Sequence, residues 1–174
     1  MLLESIEDLH GLVRPRLRKP IIAVFYEDYA SYGIPEKFFA LLSRIPVELR
    51  DPITHTYKAH VTKEKALFAY ALAKTHLGSV THAQVLAACV DMLWLLSLIY
   101  DDILDEDRAR SGLPSVWVKF GRESANAAAE EGLSSVLATL GTFFGKKTAQ
   151  TCKDLVEESL ASLSAHRECS LRVS

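Results

Sequence analysis

None of the three cysteines, Cys89, Cys152 and Cys169, stands in a CxxC or CxH pair. Metal binding through sulfur is therefore not expected, and a reducing compartment, the cytoplasm, is the expected location. A basic surplus is missing too: the formal net charge is -2, and the only basic run, residues 14–19, reads as a solvated helix end. That excludes a general nucleic-acid binder, which needs a clustered cationic face. The N-terminus MLLESIEDLH carries acids early and has no basic region leading into an apolar run, so no secretory signal is read. Alternating strand patterns, low-complexity tracts and internal repeats are all wanting, which leaves an all-α chain. Four of the six histidines, His55, His60, His76 and His82, cluster within 28 residues at spacings of five, sixteen and six, which suit no helical ligand pair. Ser134, Ser135 and the cysteines have no identifiable histidine partner, so no nucleophile is inferred.

What is present is a chain of 174 residues, 49% hydrophobic and 24% charged, enough for one helical domain over residues 1–174 with a sizeable core. Short helices are expected over residues 3–13, 21–32 (closed by Gly33) and 35–46, with Pro35 at a favourable first-turn position. Residues 47–60, with Pro52, two threonines and two histidines, read as a connection. Residues 63–77 read as a helix stopped by Gly78. Thr81 and Gln84 match a capping box that launches the next helix. Beyond it, residues 108–115 read as a loop, residues 124–140 as a helix capped by Ser124, and Lys146-Lys147 as a polar break. Cys152, Leu155, Val156, Leu160 and Leu163 then form one apolar stripe.

The long helix is nearly all apolar: from residue 83 to residue 100 the clearly polar residues are Gln84, Asp91 and Ser97. This approaches a membrane span in length. Asp91 at its centre would be costly in lipid, so no membrane span is read: the helix is assigned to the middle of a bundle, with Asp91 paired or near a helix crossing.

At its end stand five acids in seven positions, Asp101, Asp102, Asp105, Glu106 and Asp107, with Arg108 and Arg110 following. Two like charges 4 Å apart repel by about 1 kcal/mol in water and by several times more beside a low-dielectric core, so a cation is required. Asp101 and Asp105 project from one helix face, with Asp102 turned by about 100°. Mg2+ typically takes one or two carboxylates plus substrate phosphates, so the arrangement favours a diphosphate bridged by Mg2+. Arg110 adds a planar fork for phosphate oxygens. Leu93, Trp94, Ser97 and Leu98 on the same helix are candidates for the wall of a greasy substrate. An EF-hand is excluded, because its oxygen spacing and terminal glutamate are absent.

The segment LIYDDILDEDRARSGLPSVWVKFG, residues 98–121, resembles the first aspartate-rich motif of the trans-isoprenyl diphosphate synthases, the polyprenyl synthetase family, and residues 63–174 are the portion that resembles it. The resemblance implies an isoprenoid-synthase-type helical bundle and a Mg2+-dependent class I reaction. An allylic prenyl diphosphate loses its diphosphate, and an acceptor, a second small molecule, captures the resulting carbocation. It implies that Asp101, Asp102 and Asp105 are the catalytic metal ligands and that Arg110 holds the allylic diphosphate. The family's acceptor site is only partly represented. Lys63 takes the position of its lysine, but Ala66 stands where an arginine is expected, Trp94 replaces a His or Gln, and Ser111 replaces the second arginine. A non-standard acceptor, or cyclisation, is the expectation that follows.

The family also carries a second aspartate-rich motif on a later helix, and nothing after Asp107 resembles it. Asp154 is isolated, and Glu157-Glu158 lies on an amphipathic helix. The expectation is an incomplete, N-terminal portion of the family fold. It is either a fragment or a chain whose missing wall comes from a partner, as a homodimer or hetero-oligomer; a non-catalytic or regulatory subunit is the competing reading.

Overall fold

The computed structural model describes residues 20–60 and 62–171, and the helix expected over residues 3–13 and the basic run at 14–19 lie outside them. The described residues are overwhelmingly helical, as the all-α reading requires. They fall into two compact units, one ending at Val136 and the other beginning at Leu137.

In the first unit the helices are α1 (Pro20–Ser31), α2 (Ile34–Leu42), α3 (Val47–Ala59), α4 (Glu64–Leu77), α5 (Val80–Leu104), the short α6 (Val116–Phe120) and the first part of α7 (Arg122–Phe144). Helix α5 is the axis, with α2, α3, α4 and α6 all packing on it. It is buried on several sides because its small and branched residues alternate around the helix: Ala83, Ala87, Ala88, Cys89, Met92, Leu95 and Ile99 are all at most 1% exposed. Each fully buried Met, Leu or Ile contributes roughly 1.5–3 kcal/mol. Helix α5 is long and apolar enough to cross a membrane by length and composition, yet 61% of its apolar window is packed inside the fold.

Small residues let α7 approach closely. Ala125, Ala128 and Ala129 are fully buried, and at Gly132 an added Cβ would lie 2.7 Å from a methyl of Leu96 on α5 and 3.3 Å from Ile53 on α3. The glycine that weakens α7 by helix propensity is thus explained by packing.

Several local expectations are corrected. Residues 47–60 are not a connection but helix α3, with Pro52 inside it. An interior proline costs about 3 kcal/mol, but Pro52, Ile53, Thr54, Thr56, Tyr57 and Ala59 are all buried, and that packed face outweighs the local penalty. Arg50 ties α3 back to the end of α2, donating from Nε to the Ile45 carbonyl (2.7 Å) and from Nη2 to the Ser43 carbonyl (2.8 Å). The cap of α5 is Ser79, whose hydroxyl accepts from the His82 N–H at 3.3 Å; Gln84 instead donates to the Tyr32 carbonyl at 2.8 Å. The hydroxyl two residues earlier reaches the free N–H groups of the first turn.

The loop expected at residues 108–115 contains a minimal antiparallel hairpin, β1 (Ala109–Arg110) and β2 (Leu113–Pro114). Its turn residues Ser111 and Gly112 both have positive φ, 53° and 78°, the pattern of a two-residue type I′ turn.

In the second unit, α7 runs on to Phe144, Gly145 (φ 88°) turns the chain, and α8 (Lys146–Leu171) follows. Lys146-Lys147 therefore opens a helix, and Gly145 makes the break. On α8, Cys152, Val156 and Leu160 are half-buried while Leu155 is exposed.

Candidate functional site

Two stripes of α5 carry the candidate residues. Asp91, Leu95, Leu98 and Asp102 recur at helical spacing and are all buried. Trp94, Ser97, Asp101 and Asp105 follow the neighbouring stripe and are half-buried or exposed. Asp91 and Asp102 thus lie on one face about 16 Å apart, and each has its own cation.

The inner pair is Asp91 with Lys63, which precedes α4. The Lys63 ammonium sits 3.1 Å from Asp91 Oδ2, and both side chains are almost wholly buried. The Tyr29 hydroxyl donates to the same oxygen at 2.8 Å, and the Tyr57 ring lies 3.7 Å below the ammonium. Burial pulls the Lys63 ammonium below its ordinary value despite the Asp91 charge, and it pushes the Tyr29 and Tyr57 phenols well up. Lys63, which the resemblance places at the position of the family's acceptor-site lysine, pairs here with Asp91, a buried carboxylate one helix away. Asp91 is paired, as its isolation on an apolar helix foretold.

The outer cluster lies at the C-terminal end of α5. Arg110, delivered by β1, donates from Nε to Asp102 Oδ1 and from Nη2 to Asp101 Oδ2, both at 2.7 Å. Asp102 is nearly buried, with its side chain 4% exposed, whereas Asp101 is 47% exposed. Burial raises the Asp102 carboxyl above the ordinary carboxylate value, more than Arg110 pulls it down. The hydrogen bond to Asp102, foremost, raises Arg110 in turn. Asp105 is exposed and closes the helix, its N–H donating to the Asp101 carbonyl at 2.8 Å.

Residues to which the sequence reading gave no part in the site hold this end in place. The Asp107 carbonyl accepts from the Ser115 hydroxyl and from the Trp117 indole N–H, the latter at 2.8 Å. Arg122 donates to the Ile103 carbonyl at 3.3 Å, satisfying one of the open carbonyls of the last turn. His55 Nε2 lies 2.8 Å from the Pro114 carbonyl while its Nδ1 faces Lys119 Nζ at 3.1 Å. Desolvation and then the Lys119 charge lower His55, although the Pro114 contact opposes them, so the neutral ring donates from Nε2 and accepts the Lys119 proton at Nδ1. The signal for these contacts, a Trp, an Arg and a His around Gly and Pro, is visible in the sequence only once the hairpin is known.

Of the proposed hydrocarbon wall, Leu98 is 8% exposed, and Ser97 turns its hydroxyl back to the Trp94 carbonyl at 2.8 Å. Trp94 is half-buried under the Lys65 ammonium, 3.7 Å from its ring, and its indole N–H is buried without a hydrogen-bond partner. His60 is nearby, its ring centroid 6.1 Å from that of Trp94.

Burial, and then the Lys63 charge, lower His60 from 6.5 to about 4. Below pH 6.5 an unfolded chain would take up a proton that the folded one resists, so the stability that neutral His60 contributes is present above 6.5 and is lost as pH falls towards 4. Urea unfolding at pH 7 and pH 5 should show that loss, and His60→Gln should reduce it.

Among the described residues no three His, Cys, Asp or Glu side chains converge as a ready-made metal cage. The donor chemistry nonetheless fits a hard cation shared with a phosphate, since Asp101 and Asp105 are oxygen donors one turn apart and open to solvent.

The polyprenyl synthetase family profile matches residues 47–165. The chain belongs to that family. Polyprenyl synthetase membership agrees with the all-helical architecture. Over 59 residues, 34% of the chain, it is 39% identical to an all-trans-nonaprenyl-diphosphate synthase (geranyl-diphosphate specific) of Rhodobacter capsulatus. Over 44 residues, 25% of the chain, it is 41% identical to a geranylgeranyl diphosphate synthase of Sulfolobus acidocaldarius. These stretches span 17% and 13% of the two relatives' own lengths.

Proposed function

We propose that this chain carries the donor-diphosphate side of a Mg2+-dependent prenyl transfer, acting on an allylic prenyl diphosphate in the cytoplasm. The observation that carries the reading is the juxtaposition of Arg110 with Asp101 and Asp102 at the mouth of an apolar helix. It sets a phosphate-binding guanidinium beside cation-binding carboxylates. Asp101 and Asp105 are the residues to hold Mg2+, with Asp102 behind them. When bound, Mg2+ supplies positive charge to the departing diphosphate. Arg110 donates to the diphosphate oxygens as negative charge develops there, and Trp94, Ser97 and Leu98 line the approach for the hydrocarbon.

Acceptor chemistry is the part in which this chain departs from its family. Lys63 is committed to Asp91, and Ala66, Trp94 and Ser111 carry no cation. A non-standard acceptor, or cyclisation, is the outcome this favours over capture by isopentenyl diphosphate. Labelled allylic diphosphate is incubated with the purified chain and Mg2+, with and without isopentenyl diphosphate, and products and released diphosphate are measured. Release without elongation supports the reading; efficient elongation refutes the acceptor part, and no release with any donor refutes the whole.

The second reading is a non-catalytic subunit that completes another prenyl synthase chain. Phe68 and Leu72, 67% and 46% exposed one turn apart on α4, favour it, as they leave an apolar strip to cover. In that case the release assay is silent, and sedimentation shows self-association as a homodimer or capture of a second synthase chain.

A further inference from the structure

The hairpin that delivers Arg110 is too short to hold itself. A lone two-stranded hairpin is marginal in water, and this one pairs only Ala109 with Pro114 and Arg110 with Leu113. The Ser115 N–H donates to the Arg108 carbonyl, and the bonds of an antiparallel ladder fall on alternate pairs. Ala109 and Pro114 are therefore the pair between bonds, with their polar groups pointing outward. The missing N–H of Pro114 does the ladder no harm there, while its carbonyl faces away from β1 and meets His55 Nε2 at 2.8 Å.

We propose that His55 is a positioning residue for Arg110: from α3 it fixes the outer strand of the hairpin and, through it, the guanidinium used in prenyl transfer. The inference rests on the proposed function and adds to it a residue that touches neither diphosphate nor metal.

His55 is anchored on its own side. Its neighbours on α3, Ile53, Thr54, Thr56 and Tyr57, are all at most 5% exposed, so the helix that carries it is set in the core. The ring is held from three directions: Nε2 by the Pro114 carbonyl, Nδ1 by the Lys119 ammonium at 3.1 Å, and its edge by the Phe120 ring with 5.6 Å between centroids. Lys119 and Phe120 belong to α6, which follows β2 directly, so one histidine grips the chain on both sides of Ser115. The bonds from Ser115 and Trp117 to the Asp107 carbonyl join residues of the same segment. They stiffen it without tying it to α3.

Arg110 has little room for error. Its Nε and Nη2 donate to Asp102 and Asp101, and among the described residues no bond uses Nη1, which is left for a diphosphate oxygen. A guanidinium that serves two carboxylates and a departing diphosphate together must be placed closely, since a shift of about 1 Å costs about 10²-fold in rate. Leu113, the strand partner of Arg110, is the residue before Pro114. The His55 bond therefore acts one peptide unit from the place where β2 holds Arg110.

The test separates the two ring nitrogens. A glutamine amide reaches the position of Nε2 and keeps a donor for the Pro114 carbonyl, whereas an asparagine amide reaches only the position of Nδ1 and loses it. Diphosphate release with Mg2+ is measured on whichever of labelled geranyl, farnesyl or geranylgeranyl diphosphate wild type turns over fastest. It should fall about tenfold or more in His55→Asn and stay within about threefold of wild type in His55→Gln. In an Arg110→Gln background His55→Asn should have little further effect, because the group it positions is gone; a purely structural role would lower the rate again. Water exchange of the Arg110 Nε–H, read by NMR on the folded proteins, should be slow in wild type and His55→Gln and about tenfold faster in His55→Asn. The proposal is overturned if both variants lose release equally, or if His55→Asn matches wild type in either measurement. If wild type releases diphosphate from none of the three donors, the proposed function fails, and the Arg110 Nε–H exchange alone decides whether His55 places the guanidinium.

Discussion

Asp91→Ala should cost about 3–5 kcal/mol of folding stability, because it leaves the Lys63 ammonium buried with no counter-ion. Lys63 and Asp91 are at most 3% exposed on their side chains, so water cannot take the place of the lost carboxylate. Domains of this size are stable by only about 5–15 kcal/mol, and a loss of that order brings the fold near its limit. Replacing both partners, Lys63→Met with Asp91→Leu, removes the desolvation cost together with the attraction and should restore or exceed wild-type stability, since such exchanges are often neutral or stabilising by about 1–4 kcal/mol. Urea unfolding of the single and double variants measures both effects. A single variant within 1 kcal/mol of wild type would show that the pair does not hold the fold.

Asp101→Asn and Asp105→Asn should each slow diphosphate release from an allylic donor by about 10²–10³-fold, the scale on which single electrostatic stabilisers act. Asp105 is exposed, and Asp101, 47% exposed on its side chain, leaves Arg110 its bond to Asp102 when it is replaced, so the thermal unfolding midpoint should stay near that of wild type, and added Mg2+ should recover part of the rate. Asp102→Asn should differ: its carboxylate is buried against Arg110, so stability falls along with the rate. Rates within a factor of three of wild type for all three variants would remove the aspartates from the chemistry.

The fold was legible wherever helical periodicity and punctuation agreed. Helices α1, α2, α4 and α5 lie close to their expected positions because Gly33, Pro35 and Gly78 mark their ends and their apolar residues recur at helical spacing. Helix α3 was hidden because Pro52 and the threonines speak locally against a helix, and the face that overrides them becomes visible only when α5 and α7 are in place. The clustered acids and Arg110 could be named from order and spacing, whereas their mutual hydrogen bonds depend on a hairpin two residues per strand, too short to leave an alternating pattern. Lys63 matched a family position in linear spacing. What decides its role is Asp91, twenty-eight residues on, and the only hint of that pairing was one charge, Asp91, stranded in an otherwise apolar helix.

Helix α5 has one further property, set by the direction in which it runs. Its peptide dipoles align along 25 residues and place roughly half a negative charge at its C-terminal end, where Asp101, Asp102 and Asp105 also stand. Ordinarily acids are disfavoured at that pole. Here the axis of the bundle works as an electrode, its negative terminal at the candidate site and its positive terminal at Ser79, so the attraction for a cation would persist, though weakened, even if one of the three carboxylates were removed.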